Sequence, residues 1–142
     1  SEGIPLLQKA DYEGQVLTST AFQEVYGQVC QITTHHRPDL AGITAKLCPF
    51  SPKLLQEVEA SRGEEGENKE SSRQIEVLHF LLNRSLHPFL KRAAQELEPL
   101  LEGGTWHRSS CPICGGEPDF AALSPEKGAR SLLCSRCDTE WQ

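Results

Sequence analysis

Cys111-Pro112-Ile113-Cys114, followed after nineteen residues by Cys134-Ser135-Arg136-Cys137, is the stretch whose reading decides the fold. Two Cys-x-x-Cys pairs separated by roughly 15–20 residues have the spacing of a ribbon-type tetrathiolate centre. The reason is geometric. Two intervening residues let a tight turn aim both sulfurs at one ion, while the backbone amides of that turn point at the thiolates. Two such turns facing each other complete a tetrahedron around zinc or iron. The expected metal ligands are therefore Cys111, Cys114, Cys134 and Cys137. Gly115 offers the positive φ that such a turn needs after its second cysteine. Asp138 stands at the equivalent place in the second turn. Asp enters the left-handed region less readily than Gly, so the second knuckle is expected to be slightly strained or more open.

With four protein ligands the site is closed, leaving no position for water or substrate, which is the habit of structural rather than catalytic zinc. Tetrahedral sulfur suits zinc and iron alike, so the expected cofactor is one Zn or Fe ion, either a structural clip or a rubredoxin-like one-electron centre. His107, four residues before Cys111, is expected to stay outside the filled tetrahedron.

Outward from the cysteines, residues 106–142 carry few helix signals. Glu117 to Leu123 and Ala129 to Leu133 read as two short strands around a turn-rich link from Ser124 to Gly128. A segment this short buries too little core to fold alone, because domains below roughly 40 residues usually need a metal or disulfides. Folding and metal binding of this module should be linked.

Upstream the pattern is helical. Phe22, Val25, Tyr26, Val29 and Ile32 recur every three or four positions between Ser19 and Thr34, with Ser19 or Thr20 as N-cap. His35-His36-Arg37 closes this helix, where positive charge suits the C-terminal dipole. Leu40 to Leu47 reads as a short helical piece broken at Cys48-Pro49-Phe50. A further helix starts at Ser51 with Pro52 in its first position and Leu54, Leu55 and Val58 facing inward. Ser61 to Ser72 reads as a solvated loop; its glycines Gly63 and Gly66 sit in an acidic context unsuited to phosphate. Ile75, Leu78, Leu82 and Leu86, widened by Val77 and Leu81, form the next stripe, with His79 and His87 at its edge. Pro88 should interrupt that helix or start another, since it lacks an amide proton. Phe89, Ala93, Leu97, Leu100 and Leu101 continue at helical spacing until Gly103-Gly104 stops the run. The expected fold class is α plus small β: an all-helical bundle over residues 1–104, then a rubredoxin-like or zinc-ribbon metal module over 105–142.

Composition narrows the function. The chain has 142 residues, a mean hydropathy of -0.44 and a net charge of -6. That charge argues against nucleic acid as the main partner. No apolar run approaches the roughly 18 residues of a membrane span, and nothing at the start resembles a secretory signal. The absence of Met reads as a processed start or a fragment. Cys30 and Cys48 lie far apart in apolar contexts, so free thiols in a reducing cytoplasm are expected, with Cys30 a small buried hydrophobe. No nucleophile triad, paired-carboxylate signature or phosphate loop emerges, so the chain reads as no enzyme.

Several runs, taken in order, are more specific than the cysteine pairs. Leu86-His87-Pro88-Phe89-Leu90 is followed by Trp106 and by Cys111-Pro112-Ile113-Cys114-Gly115-Gly116-Glu117-Pro118. Arg130-Ser131-Leu132-Leu133-Cys134-Ser135-Arg136-Cys137 then continues into Asp138-Thr139-Glu140-Trp141. Over Leu86 to Trp141 the chain resembles the FdhE family of formate dehydrogenase accessory proteins. The resemblance implies a helical N-terminal domain followed by rubredoxin-like metal modules. It also implies a cytoplasmic protein that binds the catalytic subunit of a molybdenum- or tungsten-dependent formate dehydrogenase during maturation. Cys111, Cys114, Cys134 and Cys137 match the family's first metal module. Two departures stand out. The family's second pair of Cys-x-x-Cys turns is missing, which reads as a short form or fragment, and Asp138 replaces the usual Gly.

Three functions compete on these grounds: an accessory protein that grips an immature enzyme, a rubredoxin-like one-electron module acting on a partner, and a nucleic-acid-binding zinc ribbon. The third is the weakest. Residues 106–142 hold four basic side chains (Arg108, Lys127, Arg130, Arg136) against five acidic ones, without a basic footprint.

Overall fold

The computed structural model describes residues 4–7, 9–60, 69–102, 104 and 106–142. Among the described residues five α-helices come first: α1 (Lys9–Leu17), α2 (Thr20–His36), α3 (Ala41–Leu47), α4 (Pro52–Ala60) and α5 (Lys69–Leu97). Single 3-10 turns precede α3 (Pro38–Leu40) and follow α5 (Glu98–Leu101). A three-stranded antiparallel sheet closes the chain, built from β1 (Phe120–Leu123), β2 (Arg130–Leu133) and β3 (Glu140–Trp141) in the order β1-β2-β3. The fold is thus helical with a small β module, as the residue pattern implies. Two compact units emerge, one of residues 15–85 and one of residues 1–14 with 86–142. The cysteine segment therefore shares its unit with the start of the chain and the end of α5, a larger body than residues 105–142 alone.

In the unit of residues 15–85, α2 begins where Ser19 accepts the amide proton of Phe22 on its side-chain oxygen. Its buried face runs through Phe22, Tyr26, Cys30 and Thr33, while Ile32 is 60% exposed. The expected stripe ending at Ile32 was turned too far around the helix. Phe22, Tyr26 and Phe50 pack as three rings with centroids 5.4–5.9 Å apart, and the Tyr26 hydroxyl donates to the Leu47 carbonyl at 2.8 Å. Ser51 caps α4 by accepting from the Leu54 amide, with Pro52 as its first residue.

The cysteine reading of this unit needs correction. Cys30 and Cys48 form a disulfide that ties the middle of α2 to the residue ending α3. Burial of Cys30 was legible; its partner was not, and with both sulfurs bonded there are no free thiols here to point to a reducing compartment.

Two corrections concern α5. It already includes residues 69–72, which were expected in the loop; residues 61–68 and Gly103 lie outside the described residues. It also runs unbroken through Pro88. A proline within a helix costs about 3 kcal/mol, yet the buried stripe Val77, Leu78, Leu81, Leu82, Leu86, Leu90 and Ala94 continues on both sides of it. That continuous burial outweighs the missing amide. His79 is exposed rather than at the core edge. Among the described residues no helix is long and apolar enough to cross a membrane.

Candidate metal centre

Both Cys-x-x-Cys segments fold into the same turn. In the first, the Gly115 amide donates to the Cys111 carbonyl at 2.9 Å, and the Cys111 amide to Gly116 at 2.7 Å. In the second, Asp138 donates to Cys134 at 2.8 Å and Cys134 to Thr139 at 3.0 Å. Gly115 and Asp138 occupy matching left-handed positions, with φ of 72° and 62°. The second knuckle is thus as closed as the first, although its left-handed residue carries a Cβ. The sheet holds the knuckles in place: β2 delivers the chain into Cys134, and β3 pairs Trp141 with Leu132 directly after the second knuckle. β3 escaped the sequence reading because two residues are too few to show alternation.

The turns bring all four expected ligands together. The sulfurs of Cys111, Cys114, Cys134 and Cys137 lie within 4.8 Å of one another, and all four residues are buried. Cys111 and Cys137 sulfurs are 3.6 Å apart, and those of Cys114 and Cys134 3.5 Å. Zinc–sulfur bonds of 2.3 Å in a regular tetrahedron require about 3.8 Å between sulfurs. The donor set therefore fits one tetrahedral ion, and the arrangement is able to hold it. The local electrostatics point the same way. The Cys111 thiol is pulled down to about 7, first by a hydrogen bond from Cys114, and Cys134 is lowered, first by Cys111. Cys114 and Cys137 are pushed up, each first by Cys111. Sulfurs this close cannot all carry negative charge unless a cation sits among them.

Surrounding groups complete the site. The Thr139 hydroxyl lies 3.1 Å from the Cys137 sulfur. Trp106 donates from its indole to the Ser110 carbonyl at 2.7 Å, fixing the approach to Cys111. From α5, His87 Nε2 and Lys91 Nζ each sit 3.0 Å from the Asp138 carboxylate. The hydrogen bond from His87 is the first cause holding that carboxyl below its ordinary value. His87 thus meets the second knuckle through Asp138 rather than edging a core. His107 is exposed and outside the sulfur group, as expected.

The N-terminal contribution has no signal in the residue pattern. The amides of Leu6 and Leu7 donate to the carbonyls of Pro112 and Ile113 at 2.9 and 2.8 Å. A side chain on Gly115 would run into Pro5 at 3.1 Å. Glu13, on α1, pairs with Arg136 inside the second knuckle. Backbone bonds of this kind leave no side-chain pattern to read.

Comparison with known proteins converges on the same segment. Residues 110–142 match the model of the FdhE central domain. Over 69 residues the chain is 33% identical to the "Protein FdhE homolog" of Aquifex aeolicus (strain VF5), covering 46% of this chain and 24% of that protein. The chain thus spans about a quarter of the length of this curated relative. No solved structure matches it significantly.

Proposed function

We propose that this protein, similar to the FdhE family through its cysteine module, is an accessory factor for formate dehydrogenase. It binds the catalytic subunit of that enzyme in the cytoplasm and assists its activation or assembly, without catalysing a reaction itself. The observation that carries the proposal is the buried four-sulfur cluster inside the segment that matches the family. Cys111, Cys114, Cys134 and Cys137 are the proposed ligands of one zinc or iron ion. A tetrathiolate leaves no open position on its metal, which supports a role in binding rather than in turnover. When bound, zinc would supply a cross-link between the two knuckles, and iron would add a one-electron couple. The slight acidic excess of residues 106–142 supports a protein partner over nucleic acid. Residues 1–104 act in this reading as a helical domain and 105–142 as a module whose folding depends on metal.

Calorimetric titration of the anaerobically purified, metal-loaded chain with the immature catalytic subunit tests the reading. Saturable binding is expected. A folded, metal-loaded sample that releases no heat and does not co-elute with the subunit would overturn it. The closed, all-sulfur donor set also suits a rubredoxin-like module that passes single electrons to a partner. That second reading requires iron in the chain as isolated and a reversible one-electron couple; zinc alone would exclude it.

A further inference from the structure

Gly116 marks a point of close approach beside the sulfurs. A Cβ there would lie 3.1 Å from Cδ of Arg136, 3.2 Å from the Cys134 sulfur and 3.3 Å from the Cys114 sulfur. One arginine stem and two of the four sulfurs therefore crowd around a single spot that only glycine leaves free. The Arg136 side chain is 20% exposed, and Glu13, its partner, 18%. Four thiolates around a divalent ion carry a net charge of about -2. The Cδ of a largely buried arginine thus lies against the same point as two of the sulfurs, where its charge acts with little screening.

We infer that Arg136 is the charge-compensating residue of the four-cysteine centre, and that Glu13 sets how much of the arginine's charge the sulfurs feel. The inference rests on the metal reading above. Arg136 stabilises whichever occupied state is more negative, so it favours a divalent ion over a trivalent one. Glu13 draws part of that field to itself and, through α1, makes the start of the chain part of the centre. The two residues thus act on the metal with opposite sign. A pair that merely held the knuckle in shape would give the same sign for either loss.

The test is competition of the whole chain with a chromophoric chelator for Zn²⁺ at fixed pH, in the unaltered protein and in Arg136→Gln, Arg136→Lys and Glu13→Gln. Arg136→Gln should weaken zinc binding and Glu13→Gln should tighten it, each by about three- to tenfold for one charge moved at this range. Arg136→Lys should restore most of the loss. In iron-loaded samples the ferric–ferrous midpoint should fall in Arg136→Gln and rise in Glu13→Gln, where tenfold corresponds to about 59 mV. Shifts of the same sign in both variants, or none beyond twofold, would overturn the inference. If Arg136→Gln fails to fold, Glu13→Gln decides alone, tighter binding supporting the inference and unchanged or weaker binding overturning it. An unaltered chain that binds neither ion removes the metal reading and this inference with it. Binding that the variants leave unmoved removes only the inference.

Discussion

At Asp138 the backbone turns with a φ of 62°, where a Cβ costs roughly 1 kcal/mol and glycine nothing. The same residue offers its carboxylate to His87 and Lys91. With these groups between a third and a half exposed, the contacts return at most about 1 kcal/mol after solvent screening. The two effects nearly cancel. Asp138→Gly should therefore leave the stability of the metal-loaded chain within about 1 kcal/mol of the parent, since strain and contacts vanish together. Asp138→Ala keeps the strain and loses the contacts, so it should fall below the Gly variant by about 1 kcal/mol. Urea unfolding of the three proteins checks the order, and an Ala variant as stable as the Gly variant would contradict it. Tyr26 ties stability to pH. Burial pushes its phenol up to about 12, so the fold favours the neutral form. In the unfolded chain the phenol ionises from about pH 10. Stability should then drain away as the pH rises from about 10 through 12, by up to about 2.7 kcal/mol for two units. Tyr26→Phe should start about 1 kcal/mol lower for its lost hydrogen bond to Leu47 but lack this alkaline slope. An equal slope in both proteins would rule Tyr26 out as its source.

Among the elements, α2 and α3 are joined covalently by Cys30 and Cys48, eighteen positions apart. Closing a loop of that size restricts the unfolded chain by about 3 kcal/mol on the chain-entropy estimate. Reduction with a phosphine should lower the stability of helices α2 to α4 by roughly this amount. Far-ultraviolet dichroism in urea, with and without reductant, measures it, and coincident curves for samples of verified thiol content would refute it. This bridge shows where sequence reading stops. The knuckles were legible because two cysteines within one turn must point together; Cys30 and Cys48 carry no such local constraint. The face of α2 was misread for a related reason. Spacing locates a stripe, but the neighbours decide its centre, and they bury Cys30 and Thr33 instead of Ile32. At Pro88 the local rule was sound, yet burial along α5 overrode it. The N-terminal share of the metal centre was illegible altogether, because Leu6 and Leu7 reach it through backbone amides.

For the molecule as a whole, the two units should respond differently to loss of metal. The unit of residues 15–85 has its own aromatic core and disulfide. The other unit has Leu86, Leu90 and Ala94 on α5, but around the knuckles its buried side chains are largely the cysteines themselves, with Ile113 and Trp141. There a bound ion would replace the core that a short segment cannot build, and its binding free energy would become folding free energy. Both tryptophans of the chain, Trp106 and Trp141, lie in that cysteine segment, which makes indole emission a reporter of one unit alone. Cys111→Ser or Cys137→Ser should shift emission to the red, as should a strong chelator, because Trp141 passes from burial to water. Most of the 222 nm helical signal should persist, since α2, α3, α4 and the first part of α5 belong to the other unit. Re-addition of Zn²⁺ should restore emission in the chelated protein but not in the serine variants. Helical signal and emission lost together at one chelator concentration would instead mean that the chain unfolds as a single cooperative body. Unchanged emission after verified metal removal would mean that the sheet holds the knuckles without an ion.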